Sequence, residues 1–507
     1  MAAVFLGISF CSLTRGATRP NVLWICADDH AAYVFGADGN RQVRTPRLDQ
    51  LAAEGTRFSH AYCNAPVCTA SRQSFLTGRY PHRVGVTVLK TPLSESAVTL
   101  PEMLREAGYR TCGIGKMHFN SALAHGFEKR IDMPEYGRWL AMQEREPLPT
   151  DVELLPQWKP FHDPARVWLN SFCRPYAAHE ADMAGTFFAD TAARELAESD
   201  ARSNKPFFLM VSFYEPHSPF HFPVEFRDRI DPTQMPVYKA APEDDAQIPA
   251  IFRDLTTSEK QGIAAAYYTS VEFLDKNVGR VLDALSAAGH GDDTLVIYTG
   301  DHGYMLGQHG RFEKHCSFEP AIRVPLVMRL PARVPAGAVS PALVELIDVV
   351  PTVLDLCGID KPTTVEGRSL AGVLDGTNEQ HRDCVFVEYA ENEEAAIRTV
   401  RWKLVYSTGR RERQDGYTSG RPLPGKTVRL FDVQNDPDEL VNLAALPEQA
   451  SRVAELTDKL AQHMRDVTPG ARELASNADA DAILARCLPP VEEMRTSAAP
   501  PRSDKNN

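Results

Sequence analysis

Residues 21–30, NVLWICADDH, place an apolar run directly before three polar residues. The first seven, Asn21–Ala27, are nearly all apolar, which is typical of a strand buried on both faces of a parallel sheet. Similar short runs follow at 109–114, 207–213 and 294–299. The pattern therefore predicts several central strands, of which this stretch supplies the first.

Helix signals alternate with these strands. Thr45 begins one predicted helix that ends at Gly55, and Thr99 with Glu102 predicts a capping box for a second that ends at Gly108. Longer helical stretches are predicted at 181–197 and 258–288. The alternation of strands and helices between residues 21 and 299 predicts an α/β fold with a large, mostly parallel sheet flanked by helices.

The character of the sequence changes near residue 380. Residues 396–406 and 427–433 alternate like antiparallel strands, and 451–467 has a helical pattern, so a smaller α+β subdomain is expected there. The tail contains much Ala, Pro and Asp and is expected to pack weakly. The predicted organisation is an α/β catalytic domain over 18–380, a C-terminal antiparallel-sheet subdomain over 381–475, and a weakly ordered tail over 476–507.

Residues 1–17 have the character of a secretory leader. An apolar stretch over 2–10 is followed by the small residues Gly16 and Ala17, although the basic segment that usually precedes such a stretch is missing. The pattern predicts export, with a periplasmic or secreted location.

Composition excludes several classes of protein. The 507 residues carry 55 Lys and Arg against 67 Asp and Glu, a net charge of −12, which argues against a nucleic-acid coat. No apolar run approaches the ~20 residues that a membrane-spanning helix needs. Ten cysteines without a CxxC pair are too few for a disulfide scaffold and do not predict a zinc site.

Two polar clusters follow predicted central strands. Asp28, Asp29 and His30 come after the first strand, and Asp301 and His302 come after 294–299. Ligands of open α/β sheets bind outside the carboxyl ends of the strands, and oxygen and imidazole donors suit a divalent cation. Capping of the following segments is the alternative role of such acids.

A third cluster opens a predicted helix. Cys68 lies at its start, Arg72 lies one turn later on the same face, and the helix runs to Thr77. Anions are favoured at a helix N-terminus, so a nucleophile beside a guanidinium there suits attack on an anionic ester. The alternative is a buried cysteine with a surface arginine.

Further basic residues follow the strands at what should be the same edge of the sheet. Lys116 and His118 come after 109–114, His217 comes after 207–213, and Lys314 lies beyond Asp301. Taken singly, each is commonly structural or solvated. Their convergence favours a shared site.

The residues that carry these clusters resemble the sulfatase family. CTASR followed by QSFLTGRYPHR, beginning at Cys68, is similar to the sulfatase signature C-x-[PA]-x-R with its trailing L-T-G-R. ADDH, GIGKMH, FYEPHSPFHFP and TGDHGYMLGQHG also resemble that family, in family order, over residues 20–445. The chain is identified as a member of the formylglycine-dependent sulfatases of the alkaline-phosphatase-like superfamily.

The resemblance implies a mechanism and a set of roles. A maturation enzyme would oxidise Cys68 to formylglycine, whose hydrate supplies the nucleophile, and a divalent cation, normally Ca²⁺ with Mn²⁺ as the alternative, would lie beside it. Arg72 and Lys116 would steady the anionic groups, and His118 would take a proton so that the sulfated intermediate expels sulfate. His217 and Lys314 would lie near the leaving oxygen. The implied metal ligands are Asp28, Asp29, residue 68, Asp301 and His302.

Two positions depart from the commonest family pattern. Ala70 stands where proline is commoner in the signature, and His302 stands where many members carry Asn. Because imidazole suits manganese or zinc at least as well as calcium, the identity of the metal is less defined than its presence.

The resemblance implies hydrolysis of a sulfate ester, with a sulfated carbohydrate as the expected substrate. The alternative is a formylglycine-dependent phosphonate monoester or phosphodiester hydrolase, and a third hypothesis is a binding protein whose site has decayed. The resemblance implies that specificity is set by loops over the sheet edge and by the C-terminal subdomain. The candidates for contact with the substrate are His30, His82, Glu215, His221, His309, Arg311 and His315.

Overall fold

Two β-sheets organise the chain. The computed structural model describes residues 19–159, 163–198, 205–378, 380–413, 416–475 and 477–490. The strands of the larger sheet are β1 Asn21–Ala27, β2 Thr56–Tyr62, β3 Arg110–Gly115, β4 Lys129–Ile131, β5 Phe207–Ser212, β6 Thr294–Gly300, β7 Leu326–Arg329 and β8 Ala338–Glu345. The smaller sheet contains β9 Cys384–Tyr389, β10 Glu394–Thr399, β11 Trp402–Ser407 and β12 Thr427–Asp432.

Helices cover both faces of the larger sheet, and the last two pack against the smaller sheet. In the described residues they are α1 Pro46–Glu54, α2 Cys68–Thr77, α3 Pro81–Val84, α4 Leu100–Glu106, α5 Met133–Leu140, α6 Ala165–Trp168, α7 Ala184–Ala197, α8 Ala250–Arg253, α9 Thr257–Ala287, α10 Glu319–Ile322, α11 Val349–Leu356, α12 Ala371–Leu374, α13 Ala450–Val467 and α14 Ala480–Cys487. Alternate residues of β1 point into different cores: Trp24 packs in the core that contains α2 and α11, and Ile25 packs in the core that contains α7 and α9.

The strand order of the larger sheet is β4-β3-β5-β1-β6-β7-β2-β8. Strand β7 is antiparallel to β6 and β2, and the other pairs are parallel. The prediction of a large, mostly parallel sheet flanked by helices is therefore confirmed. Ser212 pairs with both Gly115 and Cys26, and Ala27 pairs with Gly300, so β3, β5, β1 and β6 end level with one another.

The smaller sheet lies between the main core and the C-terminal helices. It is antiparallel, in the order β12-β11-β10-β9. On β10, Ala396 packs in the main core while Ile397 packs against α13 and α14, as the two-residue period of a strand requires. Residues 396–406, predicted as one alternating stretch, contain two strands with a turn at 400–401.

Some sequence predictions about local structure are wrong. Thr99 precedes α4, but its Oγ1 donates to the carbonyl of His125 at 2.7 Å instead of capping the helix. Gly108, with a left-handed φ of 95°, follows the C-cap Ala107 and closes α4 as predicted. The tail packs better than expected, because Leu484 and Cys487 of α14 are fully buried against α13. The expectation of weak packing therefore fails for 477–490.

Other sequence predictions lie outside the described residues, among them the leader at 1–17 and the end of the tail, 491–507. In the part of the chain that the structure describes, no helix is long and apolar enough to cross a membrane. The nine cysteines described there form no disulfide.

Candidate active site

Three of the four level strand ends supply charged groups of the site. Asp28 and Asp29 follow β1, Asp301 follows β6, and Lys116 follows β3. Because these strands are neighbours or next neighbours and end at one level, their first loop residues meet at one edge of the sheet.

A quartet of donors forms the centre of this edge. Asp28, Asp29, Cys68 and His302 each offer one atom, and these atoms all lie within 4.8 Å of one another in the buried interior. Among the described residues, Oδ1 of Asp28, Oδ2 of Asp29 and Nε2 of His302 have no hydrogen-bond partner. Buried polar atoms are nearly always satisfied, so this convergence fits a divalent cation as their common partner.

Asp301 lies beside the quartet and has protein partners of its own. Its Oδ2 accepts a hydrogen bond from Nε of Arg72 at 2.7 Å. Its Oδ1 accepts from the backbone N–H of Asp29 at 3.0 Å and of His302 at 2.9 Å. These contacts orient two members of the quartet, and they distinguish Asp301 from the other predicted ligands.

Helix α2 places Cys68 in the site. Cys68 is its first residue, Val67 precedes it without a side-chain cap, and every residue of the helix is buried. Arg72 is fully buried and donates to the carbonyl of Lys116 and to Oγ of Ser212, both at 2.6 Å. The alternative of a surface arginine is therefore wrong, because Arg72 joins α2 to three strand ends.

Two lysines face the acidic groups and the nucleophile position. Lys116 forms a salt bridge with Asp28, and Nζ of Lys314 lies 2.6 Å from Oδ1 of Asp29 and 3.6 Å from Sγ of Cys68. Burial raises the pKa of the Cys68 thiol, but the positive charges of Lys116 and Lys314 outweigh burial and hold this pKa well below its usual value. The surroundings of residue 68 thus stabilise negative charge.

Two histidines flank residue 68, and both are partly exposed. Nδ1 of His217 donates to the carbonyl of Ser218 at 2.8 Å. Burial lowers the pKa of His217, but the carboxylates of Asp29 and Asp28 raise it above its usual value, which favours the protonated ring. The carbonyl of His118 accepts from Nε2 of Gln73 at 2.9 Å, which anchors this residue at its left-handed φ of 60°.

His302 belongs to the same electrostatic network. Burial lowers its pKa, but the neighbouring carboxylate of Asp301 raises it to about 9. Its Nδ1 lies 3.0 Å from the carbonyl of Gly303, which leaves Nε2 facing the quartet.

Several supporting residues gave no functional signal in the sequence. Asp29 adopts a left-handed φ of 70°, and its carbonyl accepts a hydrogen bond from the hydroxyl of Tyr267 in α9. The same hydroxyl accepts from the N–H of Ala31 at 2.9 Å. Tyr267 and Ser212 occupy ordinary apolar-patterned segments, and only the packing shows that they hold the loop and Arg72.

Most of the predicted specificity residues have structural partners instead. His30 bonds Tyr298 and the carbonyl of Val34, and burial lowers its pKa to about 4, so it is a neutral core residue. Burial raises the pKa of Glu215 to about 7, and its carboxylate accepts from the backbone of Gly185 at the start of α7. Its Oε2 has no partner among the described residues, and Glu215 lines the cavity that also contains His217 and His221. Three more candidates are paired with buried carboxylates: His82 with Glu388, His309 with Asp244, and Arg311 with Glu313.

Two cavities have linings connected to the residues of the site. The first, here called the aromatic pocket, has a volume of about 270 Å³ and is lined by Tyr136, Trp158, Tyr176, Tyr214, His217 and His221. The second, the guanidinium cavity, has a volume of about 330 Å³, and its charged lining residues are Arg311, Glu394, Arg411, Glu412, Arg413 and Arg421. His221 lines the first cavity, and His315 lies behind the wall of the second, with its ring 5.0 Å from that of Tyr417.

Comparison with known families decides the identity of this site. A family model described as Sulfatase matches residues 20–359, and one described as N-sulphoglucosamine sulphohydrolase, C-terminal, matches residues 307–466. The chain belongs to the sulfatase family. Members of this family are sulfuric ester hydrolases, and the protein is an enzyme of that class.

Relatives of this sulfatase extend over most of its length. A choline-sulfatase of Rhizobium meliloti is 30% identical over 469 residues, covering 87% of this chain and 85% of the relative. An N-acetylglucosamine-6-O-sulfatase of Bacteroides thetaiotaomicron is 26% identical, covering 87% and 86%. A solved phosphonate monoester hydrolase of Agrobacterium radiobacter is 25% identical with a TM-score of 0.73, covering 89% and 96%.

Proposed function

We propose that this sulfatase hydrolyses a sulfate ester of a carbohydrate, with Cys68 converted to formylglycine by a maturation enzyme and with a divalent cation at the quartet. The observation that supports this best is the convergence of Asp28, Asp29, His302 and residue 68, three of them with unpartnered buried atoms, beside Lys314. This arrangement provides a nucleophile position, a cation site and a compensating positive charge at one place.

Asp28, Asp29, His302 and the adjacent Asp301 would hold the cation, which is Ca²⁺ or, because of the imidazole, Mn²⁺. When bound, the cation supplies positive charge beside residue 68 and neutralises part of the sulfate. The aldehyde hydrate of formylglycine supplies an oxygen nucleophile that a thiol cannot provide. The remaining steps depend on the protein's own side chains.

Lys116, Lys314 and Arg72 form a fixed set of positive charges for an anionic ester. They are buried and held by hydrogen bonds, so they need little reorganisation when charge develops on the sulfate oxygens. We assign to His118, a hydrogen-bond partner of residue 68, the role of taking a proton from the hydrate at that position. His217, protonated beside Asp29, donates its proton to the leaving alcohol oxygen.

The aromatic pocket supports a carbohydrate as the alcohol portion of the ester. It shares His217 with the reaction site, so a leaving group protonated by His217 lies next to Tyr214 and Tyr136. Aromatic side chains offer broad apolar faces against which a sugar ring can pack. The N-acetylglucosamine-6-O-sulfatase named above fits the same substrate class.

The maturation step and export are part of this proposal. Residues 68–72, CTASR, are similar to the sequence that maturation enzymes modify, and residues 1–17 have the composition of a leader. We accordingly place the mature enzyme in the periplasm or outside the cell.

The test is desulfation of defined sulfated mono- and oligosaccharides by protein co-expressed with a formylglycine-generating enzyme. Mass analysis of the peptide that contains residue 68 establishes the modified fraction in each preparation. Activity should rise in proportion to that fraction, and Cys68→Ala should abolish turnover while thermal unfolding stays similar. A fully modified preparation that releases sulfate from none of the saccharides would contradict the substrate class.

A formylglycine-dependent phosphonate monoester or phosphodiester hydrolase is the second candidate. The solved phosphonate monoester hydrolase shares this fold over 89% of the chain. Relative kcat/KM values for an aryl sulfate and the matching aryl phosphonate monoester separate the two activities. Higher efficiency on the phosphonate would favour the second candidate.

A further inference from the structure

The guanidinium cavity lies where the C-terminal sheet meets the catalytic domain. Part of its lining comes from one end of the smaller sheet, where Glu394 of β10 pairs with Ser407 of β11, and Ser407 pairs with Thr427 of β12. Residues 246–247 and, from the connection between β11 and β12, residues 409, 411–413 and 417–424 also line it. The cavity is therefore built by segments that the reaction described above does not use.

A short chain of contacts joins this cavity to the nucleophile position. The guanidinium of Arg413 lies 4.8 Å over the ring of Tyr417, which lies 5.0 Å from the ring of His315. His315 is the residue after Lys314, whose Nζ is 3.6 Å from Sγ of Cys68. Tyr417 of the cavity lining therefore contacts the residue next in sequence to the lysine beside residue 68.

The lining of the cavity has an excess of positive charge. Its described lining contains four arginines and two glutamates. One of these glutamates, Glu394, already accepts hydrogen bonds from Ser317 and Arg429, neither of which lines the cavity. Arg311 is held by Glu313 at 2.7 Å, and the same buried carboxylate is the 3.8 Å partner of Arg413.

Arg411 is the residue most clearly prepared for a ligand. Its Nη1 is buried and has no hydrogen-bond partner among the described residues. A buried guanidinium N–H without a partner is costly, and a carboxylate or sulfate oxygen satisfies it with a charge-assisted hydrogen bond. Arg421, in contrast, is half exposed and pairs with Asp245 at 2.7 Å.

We propose that the guanidinium cavity binds a second acidic group of the substrate, a sulfate or a carboxylate, while the scissile sulfate lies at residue 68. This proposal rests on the proposed function, because it assumes a carbohydrate that carries more than one anionic group. It makes Arg411 a specificity-determining residue for polyanionic saccharides. Its contribution is to binding, since it does not touch the reacting atoms.

The test compares substrates that differ in one acidic group. The probes are glucosamine 6-sulfate, glucosamine 2-N,6-O-disulfate, and a disaccharide in which a uronate is linked to N-acetylglucosamine 6-sulfate. We expect Arg411→Gln to lower the kcat/KM ratio of a diacidic to a monoacidic probe about tenfold, mainly through KM, and Arg411→Lys to retain part of the ratio. The uronate and disulfate probes distinguish carboxylate from sulfate recognition.

The matched control is Arg472→Gln, which removes an exposed arginine whose partner is Asp466, outside the cavity lining. It should leave the ratio unchanged. An unchanged ratio for Arg411→Gln with both diacidic probes would overturn the proposal. If fully modified wild-type enzyme desulfates none of the probes, the proposed function fails. The role of Arg411 is then decided by calorimetric binding of the same probes to the Cys68→Ala protein, with and without the Arg411→Gln change.

Discussion

The guanidinium of Arg72 and the carboxylate of Asp301 form a salt bridge with 2.7 Å between Nε and Oδ2, and neither side chain is exposed to solvent. The bridge fastens the helix that carries Cys68 to the end of β6. It also fixes the carboxylate whose other oxygen binds the N–H groups of Asp29 and His302. One ion pair therefore positions the nucleophile and two of the cation donors together.

Replacing Arg72 with Gln should destabilise the protein strongly. The change leaves the buried charge of Asp301 without its guanidinium, and removal of one partner from a buried pair costs about 3–5 kcal/mol. Thermal or denaturant unfolding measures this loss. Lys459→Ala, which breaks an exposed pair with Glu455, is the control and should shift the unfolding midpoint far less. Equal shifts for the two variants would show that the Arg72–Asp301 bridge contributes little.

Replacing Asp301 with Asn should weaken cation binding and turnover together. The amide keeps the shape of the side chain but loses the charge that faces Arg72 and the quartet. Loss of such an orienting partner typically lowers metal affinity about 10–100-fold. Calorimetric titration with Ca²⁺ and with Mn²⁺ measures the affinity, and chelator sensitivity of turnover gives a second readout. Unchanged affinity for both ions would exclude Asp301 from the cation site.

Replacing Gly115 with Ala should displace Lys116 and reduce activity. Gly115 has a φ of 81°, and a Cβ there would lie 2.0 Å from the carbonyl oxygen of Ser212, so the end of β3 must move. Lys116, the next residue, bonds that same carbonyl through its N–H at 2.9 Å. We expect both lower kcat and a lower unfolding temperature, measured on formylglycine-containing protein.

Gly137→Ala is the matched control for this change. Gly137 lies inside α5, and a Cβ there meets nothing within 4 Å. Alanine in an open helical position should stabilise the protein by about 0.5–1 kcal/mol and leave kcat unchanged. Similar losses in the two variants would contradict the steric explanation.

The acid stability of the protein should depend on Glu388. Burial raises the pKa of this carboxyl, but His82 and His463, each with a ring nitrogen 2.7 Å from it, lower the pKa to about 2. Because the folded pKa is depressed, the stabilisation is present above the ordinary pKa of 4.5 and disappears as the pH falls toward 2. It amounts to about 3 kcal/mol at neutral pH.

Unfolding of the wild type and of Glu388→Gln, followed from pH 7 to pH 2, measures this effect. The variant should be less stable at pH 7, and the difference should shrink between about pH 4.5 and pH 2. A difference that stays constant over this window would show that the charge of Glu388 has no part in it.

The reaction centre could be predicted because its residues follow strands whose apolar runs are visible in the sequence. Asp28 and Asp301 come directly after β1 and β6, and parallel neighbours bring such positions together. The recognition elements could not be predicted in this way. Tyr136 lies in the short helix α5 and Trp158 lies in an irregular stretch between α5 and α6, and only the chain path brings both to His217.

The histidines predicted for the substrate show the opposite limitation. His30 follows the same two aspartates that line the reaction site, yet its ring turns toward Tyr298 and Val34. A histidine that binds a ligand and a histidine whose nitrogens are satisfied within the core can have the same position after a strand, so the sequence alone does not distinguish them. What distinguishes them is the hydrogen-bond partner of each ring nitrogen. For His30 one partner is in the same loop and the other is more than 200 residues away in the sequence.

The burial of α2 has a consequence for the biosynthesis of the enzyme. Cys68 is 3% exposed in the folded chain, and every neighbour of it in the helix is buried as well. No other protein can thread this segment into its own active cleft without first unfolding the core around it. The proposed maturation enzyme would therefore have to reach Cys68 on the nascent or unfolded polypeptide, and molecules that fold first would keep the unmodified thiol.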